Sequence, residues 1–158
     1  MRALIIVVML FSILNVSAQQ VRNFKLKDIE NNTQSFTQLK GSKLTVIDFW
    51  ATWCKPCVKA IPELNKIYEA YKIKGVEFIG VSCDGPRSVS KVAPLSKTLQ
   101  IKYPILLDIN SEIKSELNLN AFPTLVIVNS NNKIVWVHEG FVSGDQKLVI
   151  EEIEKLLK

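Results

Sequence analysis

Cys54 and Cys57 stand two residues apart in the segment Trp53-Cys54-Lys55-Pro56-Cys57. Two cysteines at i and i+3 can bridge when they open a helix, because one turn brings their side chains together. The chemistry open to such a pair is thiol–disulfide exchange. A thiolate attacks a disulfide sulfur, a mixed disulfide forms, and a second thiol resolves it. Placement decides which cysteine attacks. Cys54 follows an apolar, β-rich run and stands at a predicted helix start, where unpaired backbone N–H groups and the helix dipole favour a thiolate. Cys54 is therefore the expected nucleophile, and Cys57, one turn inside, the expected resolving cysteine. Lys55 puts a positive charge beside Cys54, which lowers its pKa further. Pro56 removes a donor that is free at this end of a helix in any case.

Other uses of the pair fit less well. Half of a zinc site needs a second pair, yet the chain has three cysteines in all and a single histidine, His138. A purely structural disulfide closing so short a loop gains little from cross-linking. Cys83 stands alone at the end of a predicted buried strand and reads as a small apolar core residue; a third redox thiol is the alternative. His138 reads as a surface or edge residue.

The elements around the pair follow from periodicity. Residues 44–50 are mostly apolar and suit a buried central strand. Ile61, Leu64, Tyr68 and Tyr71 recur at helical spacing, which predicts a helix over about residues 55–73, kinked at Pro62. Residues 76–81 read as the next buried strand, and strand, helix, strand at this spacing implies a right-handed parallel crossover. Upstream, Asn31-Asn32 reads as a turn between two short strands. Downstream come a loop at Asp84-Gly85-Pro86, a helix carrying Val92, Leu95 and Leu99, a strand at 103–107 and a short helix at 111–117. Strands at 124–128 and 133–137 then form a hairpin. Ser143 to Gln146 has the form of a capping box for a last helix with Val149, Ile153, Leu156 and Leu157 on its apolar face. The result is a mixed sheet with helices on both faces.

The chain of 158 residues fits one domain and has a net charge of +5. The lysines are scattered along it, so nothing resembles a nucleic-acid stripe. Met1-Arg2 is a short positive start. Residues 3–14 are apolar apart from Ser12, and Val16-Ser17-Ala18 offers small residues for cleavage. That order reads as a signal peptide over 1–18, leaving a domain over 19–158. The apolar run is short for a membrane span, and retention as an anchor is the alternative. Export with one close cysteine pair points to redox work more than to structural stapling.

The run Val46-Ile47-Asp48-Phe49-Trp50-Ala51-Thr52-Trp53-Cys54-Lys55-Pro56-Cys57 resembles the active-site strand and motif of the thioredoxin superfamily. Pro62 stands where that family carries its helix-kinking proline, and Phe122-Pro123-Thr124 resembles its cis-proline segment. The leader, the N-terminal hairpin and the insertion between residues 81 and 122 are similar to the exported branch that holds reductases of the TlpA and ResA type. The resemblance implies an α/β thioredoxin fold over residues 19–158. It implies that Asp48 is the buried acid, with a raised pKa, that takes the proton of Cys57. It implies a cis Pro123 facing the pair, with Trp53, Lys55, Pro56, Phe122, Pro123 and Thr124 meeting the substrate and Trp50 packing nearby. It implies no cofactor and no metal. The partners it implies are disulfide-containing exported proteins and a membrane electron donor, met by a monomer in the periplasm or at the extracytoplasmic face. Two positions depart from the family. Lys55-Pro56 replaces its common Gly-Pro, and Val58, Lys59 and Ala60 follow the second cysteine where some reductases carry an acid; Glu63 is the nearest one here.

Reduction of exported disulfides is the leading expectation. A disulfide oxidant or isomerase is the alternative with the same site, because a stabilised thiolate makes the pair more oxidising. A thioredoxin-fold peroxidase needs a Thr-x-x-Cys pattern that the chain lacks. A copper-binding assembly protein would need a three-residue spacer and a histidine within reach, and His138 is far from the pair in sequence.

Overall fold

The computed structural model describes residues 19–158, so the leader expected over residues 1–18 lies outside the described residues. The strands are β1 (Lys25–Asp28), β2 (Thr33–Ser35), β3 (Leu44–Trp50), β4 (Val76–Ser82), β5 (Ile105–Leu107), β6 (Thr124–Asn129) and β7 (Ile134–Glu139). The helices are α1 (Phe36–Leu39), α2 (Lys55–Tyr71), α3 (Val92–Thr98), α4 (Glu112–Glu116) and α5 (Asp145–Leu156). The strands form one seven-stranded mixed sheet in the order β2-β1-β5-β4-β3-β6-β7.

β3 lies at the centre, parallel to β4 and antiparallel to β6. All seven of its residues are buried, which explains why its sequence reads as an apolar run and not as an alternation. Side-chain alternation then divides it between two cores. Val46 and Trp50 join Cys57, Ile61 and Leu64 of α2 and Val149 and Ile153 of α5. Ile47 and Phe49 join Phe36 of α1 and Ile113 of α4 on the other face. Helices therefore cover both faces, as the pattern predicts, and the α2 crossover links β3 to β4.

The insertion between β4 and β6 supplies α3, β5 and α4. Its strand β5 pairs parallel with β4 on one side and antiparallel with β1 on the other. The N-terminal hairpin thus joins the sheet through its pairing with β5 of the insertion. Its turn uses Asn31 at φ 67°, while the Asp28 carboxylate accepts the N–H groups of Glu30 and Asn32.

One local expectation is corrected. Ser143 does not cap the last helix. α5 begins at Asp145 after Gly144, whose φ of 110° is a left-handed conformation that glycine adopts without steric cost. Gln146 still reaches back, but its Oε1 accepts the N–H of Gly144 at 2.9 Å, and Asp145 Oδ2 accepts that of Val142 at 2.8 Å.

Candidate active site

β3 ends at Trp50, and Ala51, Thr52 and Trp53 carry the chain to Cys54, the N-cap of α2. Cys54 and Cys57 are joined by a disulfide, with an S–S distance of 2.02 Å. The Cys57 N–H donates to Cys54 Sγ at 3.2 Å. A Ser or Asp side chain commonly fills this capping role, so after reduction the same donor and the helix dipole favour a thiolate on Cys54. Cys54 is 5% exposed and Cys57 1%, so the outer sulfur is the reachable one. Lys55 and Pro56 lie exposed in the first turn. Residues beside the disulfide line two shallow grooves, one with Lys55, Pro56, Lys59 and Val142, the other with Thr52, Trp53, Lys91 and Leu95.

The loop that presents Cys54 is held by a residue absent from the sequence candidates. Asp84 is fully buried just past β4. Its Oδ2 accepts the Thr52 N–H at 2.8 Å and the Ser82 hydroxyl at 3.0 Å, and its Oδ1 accepts the Thr52 hydroxyl at 2.6 Å. Hydrogen bonds to a carboxylate are among the stronger ones. Beside them the Cys83 N–H donates to the Trp50 carbonyl at 2.9 Å. The available signal was Thr52 itself, a polar residue in a buried aromatic run that needs a partner.

Antiparallel pairing sets Thr124 of β6 opposite Phe49 of β3, which brings Pro123 to the end of β3 from which Cys54 emerges. The Phe122–Pro123 peptide bond is cis. Pro123 is buried, and its carbonyl accepts the Gly140 N–H at 2.7 Å. Thr124 is fully buried, and its hydroxyl turns back to the Ala121 carbonyl at 2.9 Å. The Phe122 ring meets Trp53 edge-on with centroids 5.6 Å apart, and Lys114 Nζ lies 5.2 Å from the same ring. Trp53 is 62% exposed whereas Trp50 is fully buried. The fold therefore gathers Cys54, Cys57, Trp53, Lys55, Pro56, Phe122 and Pro123 at one end of the sheet, with Thr124 and Trp50 inside it.

Asp48 lies on the face of β3 that also carries Val46 and Trp50, the face packed against α2 and Cys57. It is 2% exposed. The Tyr103 hydroxyl donates to its Oδ2 at 3.2 Å, and its Oδ1 has no partner among the described residues. Burial raises its pKa from 3.8 to about 7, and the Tyr103 hydrogen bond opposes part of that rise. A carboxyl group in this state can take up or release a proton at neutral pH.

Cys83 packs in the other core, where burial pushes its thiol up to about 12, aided by the Asp108 charge. That is the environment of an inert core thiol. His138 sits half-buried on β7, stacked on Trp136 and 3.1 Å from Asp145 Oδ2. Among the described residues, no three metal-ligating side chains gather into a site.

Comparison with known proteins agrees with this geometry. Residues 17–137 match the AhpC/TSA family. The thiol-disulfide oxidoreductase ResA of Halalkalibacterium halodurans is 30% identical over 142 residues, which cover 90% of this chain and 77% of that protein. A thioredoxin-like protein of Porphyromonas gingivalis is 32% identical and superposes with a TM-score of 0.73 over 87% of this chain and 91% of its own. A candidate DsbE thiol:disulfide interchange protein of Chlorobium tepidum, 22% identical, shares the fold with a TM-score of 0.81 over 89% and 97% of the two chains. The chain belongs to the AhpC/TSA family of thioredoxin-fold proteins and, within it, to the thiol–disulfide oxidoreductases of the ResA type.

Proposed function

We propose that this oxidoreductase is exported and reduces disulfides of extracytoplasmic proteins, with Cys54 as nucleophile, Cys57 as resolving cysteine and Asp48 as proton acceptor. The observation that carries the reading is the disulfide at the N-cap of α2, with the cis Phe122–Pro123 bond at the same end of the sheet and Asp48 on the face of β3 that packs against α2. In the reduced enzyme the Cys54 thiolate attacks a substrate disulfide. One substrate sulfur leaves as a thiolate and is protonated, and a mixed disulfide remains. Cys57 then gives its proton to the Asp48 carboxylate and its sulfur attacks Cys54 Sγ. The Cys54–Cys57 bond forms, the bond from Cys54 to the substrate breaks, and the second substrate thiolate takes a proton. Two electrons pass from the enzyme dithiol to the substrate disulfide. Trp53 and Phe122 offer an apolar rim to the bound segment, Lys55 and Pro56 line its path, and Pro123 and Thr124 set the backbone that it lies against. The enzyme acts as a monomer without metal or cofactor, and a membrane donor returns it to the dithiol form.

The test is the reduction potential of the Cys54–Cys57 pair, measured in the domain over residues 19–158 against a thiol buffer. The expected value is near or below about −250 mV, close to that of thioredoxin. A value near about −120 mV belongs to a strong oxidant. The exposed Lys55 beside Cys54 favours that second reading, and the measurement separates the two.

A further inference from the structure

Asp48 is held by a residue from outside the strand–helix–strand unit that carries the cysteines. Tyr103 belongs to the insertion, in the segment between α3 and β5. It is 4% exposed, and its ring packs against Tyr68 and Phe78 with centroids 5.9 and 5.7 Å away. Two anchors fix that segment. The Asn65 side chain of α2 accepts the Lys102 N–H at 2.9 Å and donates to the Gln100 carbonyl at 3.1 Å. The Gly80 N–H of β4 donates to the Pro104 carbonyl at 2.9 Å.

Gly80 also makes the room. It is the register partner of Asp48 on β4. A Cβ there would stand 2.4 Å from Ile105 Cδ1, 3.2 Å from Tyr103 Cε2 and 3.4 Å from Trp50 Nε1. A side chain at position 80 would overlap the end of Ile105 and press on the edge of the Tyr103 ring, so glycine there leaves room for the ring beside Asp48. The slot holds two buried polar atoms with no partner among the described residues, Asp48 Oδ1 and Trp50 Nε1.

We propose that Tyr103 is the positioning residue for proton transfer between Cys57 and Asp48: its hydroxyl fixes Oδ2 and leaves Oδ1 as the oxygen free to exchange the proton. The inference rests on the reading of Asp48 as proton acceptor and adds its partner. Burial and the adjacent Asp48 charge hold the Tyr103 phenol well above its usual range, so it remains a donor throughout the working pH range. Among the described residues, the insertion sets the Tyr103 hydroxyl on Asp48, Cys57 of α2 lies in the core on the same face of β3, and Cys83 past the end of β4 feels the Asp48 charge; β6 sets Leu125 opposite. A hydrogen bond to the carboxylate favours its ionised form, so losing the hydroxyl raises the pH at which Asp48 accepts a proton.

The experiment compares Tyr103→Phe, Asp48→Asn and the unaltered domain. It follows the rate of disulfide exchange with insulin from pH 5 to 9 and the Asp48 carboxyl carbon by 13C NMR. The unaltered domain is expected to show a step near neutral pH in both. Tyr103→Phe should move both steps upward by roughly one pH unit, with the ring packing retained. Replacing Tyr103 with 3-fluorotyrosine, a stronger donor, should move them downward, a reversal that altered packing does not produce. Steps that stay in place in both Tyr103 variants overturn the proposal while leaving Asp48 its role. A rate step that persists unchanged in Asp48→Asn overturns the reading of Asp48 itself.

Discussion

Asp48, on β3, and Asp84, just past the end of β4, are both buried carboxylates near the loop that presents Cys54, yet they are dressed differently. Asp84 accepts three hydrogen bonds, two from Thr52 and one from Ser82. Asp48 accepts one, from Tyr103, and keeps an oxygen bare among the described residues. Removing a carboxylate from water is costly unless donors replace the lost hydration. Three donors turn a buried carboxylate into a clamp that ties β4 to the active-site loop. One donor leaves it short of compensation, so it holds its proton to about neutral pH. The two residues show how one side-chain type becomes a structural tie or a proton store according to the donors around it.

The sharpest way to break the comparison is Asp48→Asn. The folded-state pKa of Asp48 is raised from 3.8 to about 7, so the folded protein holds this proton more tightly than the unfolded chain. The stability linked to that proton is fully present below about pH 3.8. It is lost as pH rises to about 7, and nothing further is lost above. At about 1.4 kcal/mol per pH unit, the loss has an upper bound of about 4 kcal/mol. Asp48→Asn should remove this slope, melt higher than the unaltered domain at pH 8, and exchange disulfides roughly 100-fold more slowly. Urea midpoints at pH 5 and 8, with exchange rates at pH 8, check both halves. A variant that is slower and also less stable at pH 8 would place Asp48 with the clamps.

Asp84→Ala should do the reverse and lose stability. It strands the Thr52 N–H, the Thr52 hydroxyl and the Ser82 hydroxyl, at a cost of about 3 kcal/mol. For a domain of this size that lowers the melting temperature by roughly 10 °C. Exchange should slow in proportion to the loosening of the loop. A melting temperature within about 2 °C of the unaltered domain would mean that the three hydrogen bonds are replaced by water without loss.

Much of this was legible in the sequence, for physical reasons. β3 and α2 were readable because a doubly buried strand must be apolar along its length and an amphipathic helix must repeat every third or fourth residue. The cysteine pair was readable because its chemistry needs that spacing at a helix start. Asp84 was not, since Asp-Gly-Pro after a strand reads as a solvated loop; burial of its carboxylate follows from β4 extending toward Thr52, a contact between residues far apart in the chain. Tyr103 was hidden for the same reason, being placed against Asp48 by an insertion whose register no local pattern states. Trp50 and Trp53 make the point within one segment. They are the same residue type three positions apart, and the bend out of β3 buries one and exposes the other. Gly144 overrode the Ser143 cap because a residue that reaches a left-handed φ without steric cost can start the helix one position later.

Lys55 extends the comparison to the surface, where the effect should be smallest. Lys55 follows Cys54 in the chain and is exposed to water, and exposed charge pairs contribute roughly 0.2–1 kcal/mol. At about 1.4 kcal/mol per 30 mV, that energy corresponds to roughly 5–20 mV in the potential of the pair. The sign follows from the thiolate. Removing the positive charge with Lys55→Gln destabilises the reduced form and moves the potential to more negative values. A shift in this range would leave the buried carboxylates and the helix N-terminus as the main determinants of the site. A shift beyond about 50 mV would mean that water screens Lys55 far less than its exposure implies. The charge beside the disulfide would then outweigh the groups beneath it, and the oxidant reading would gain.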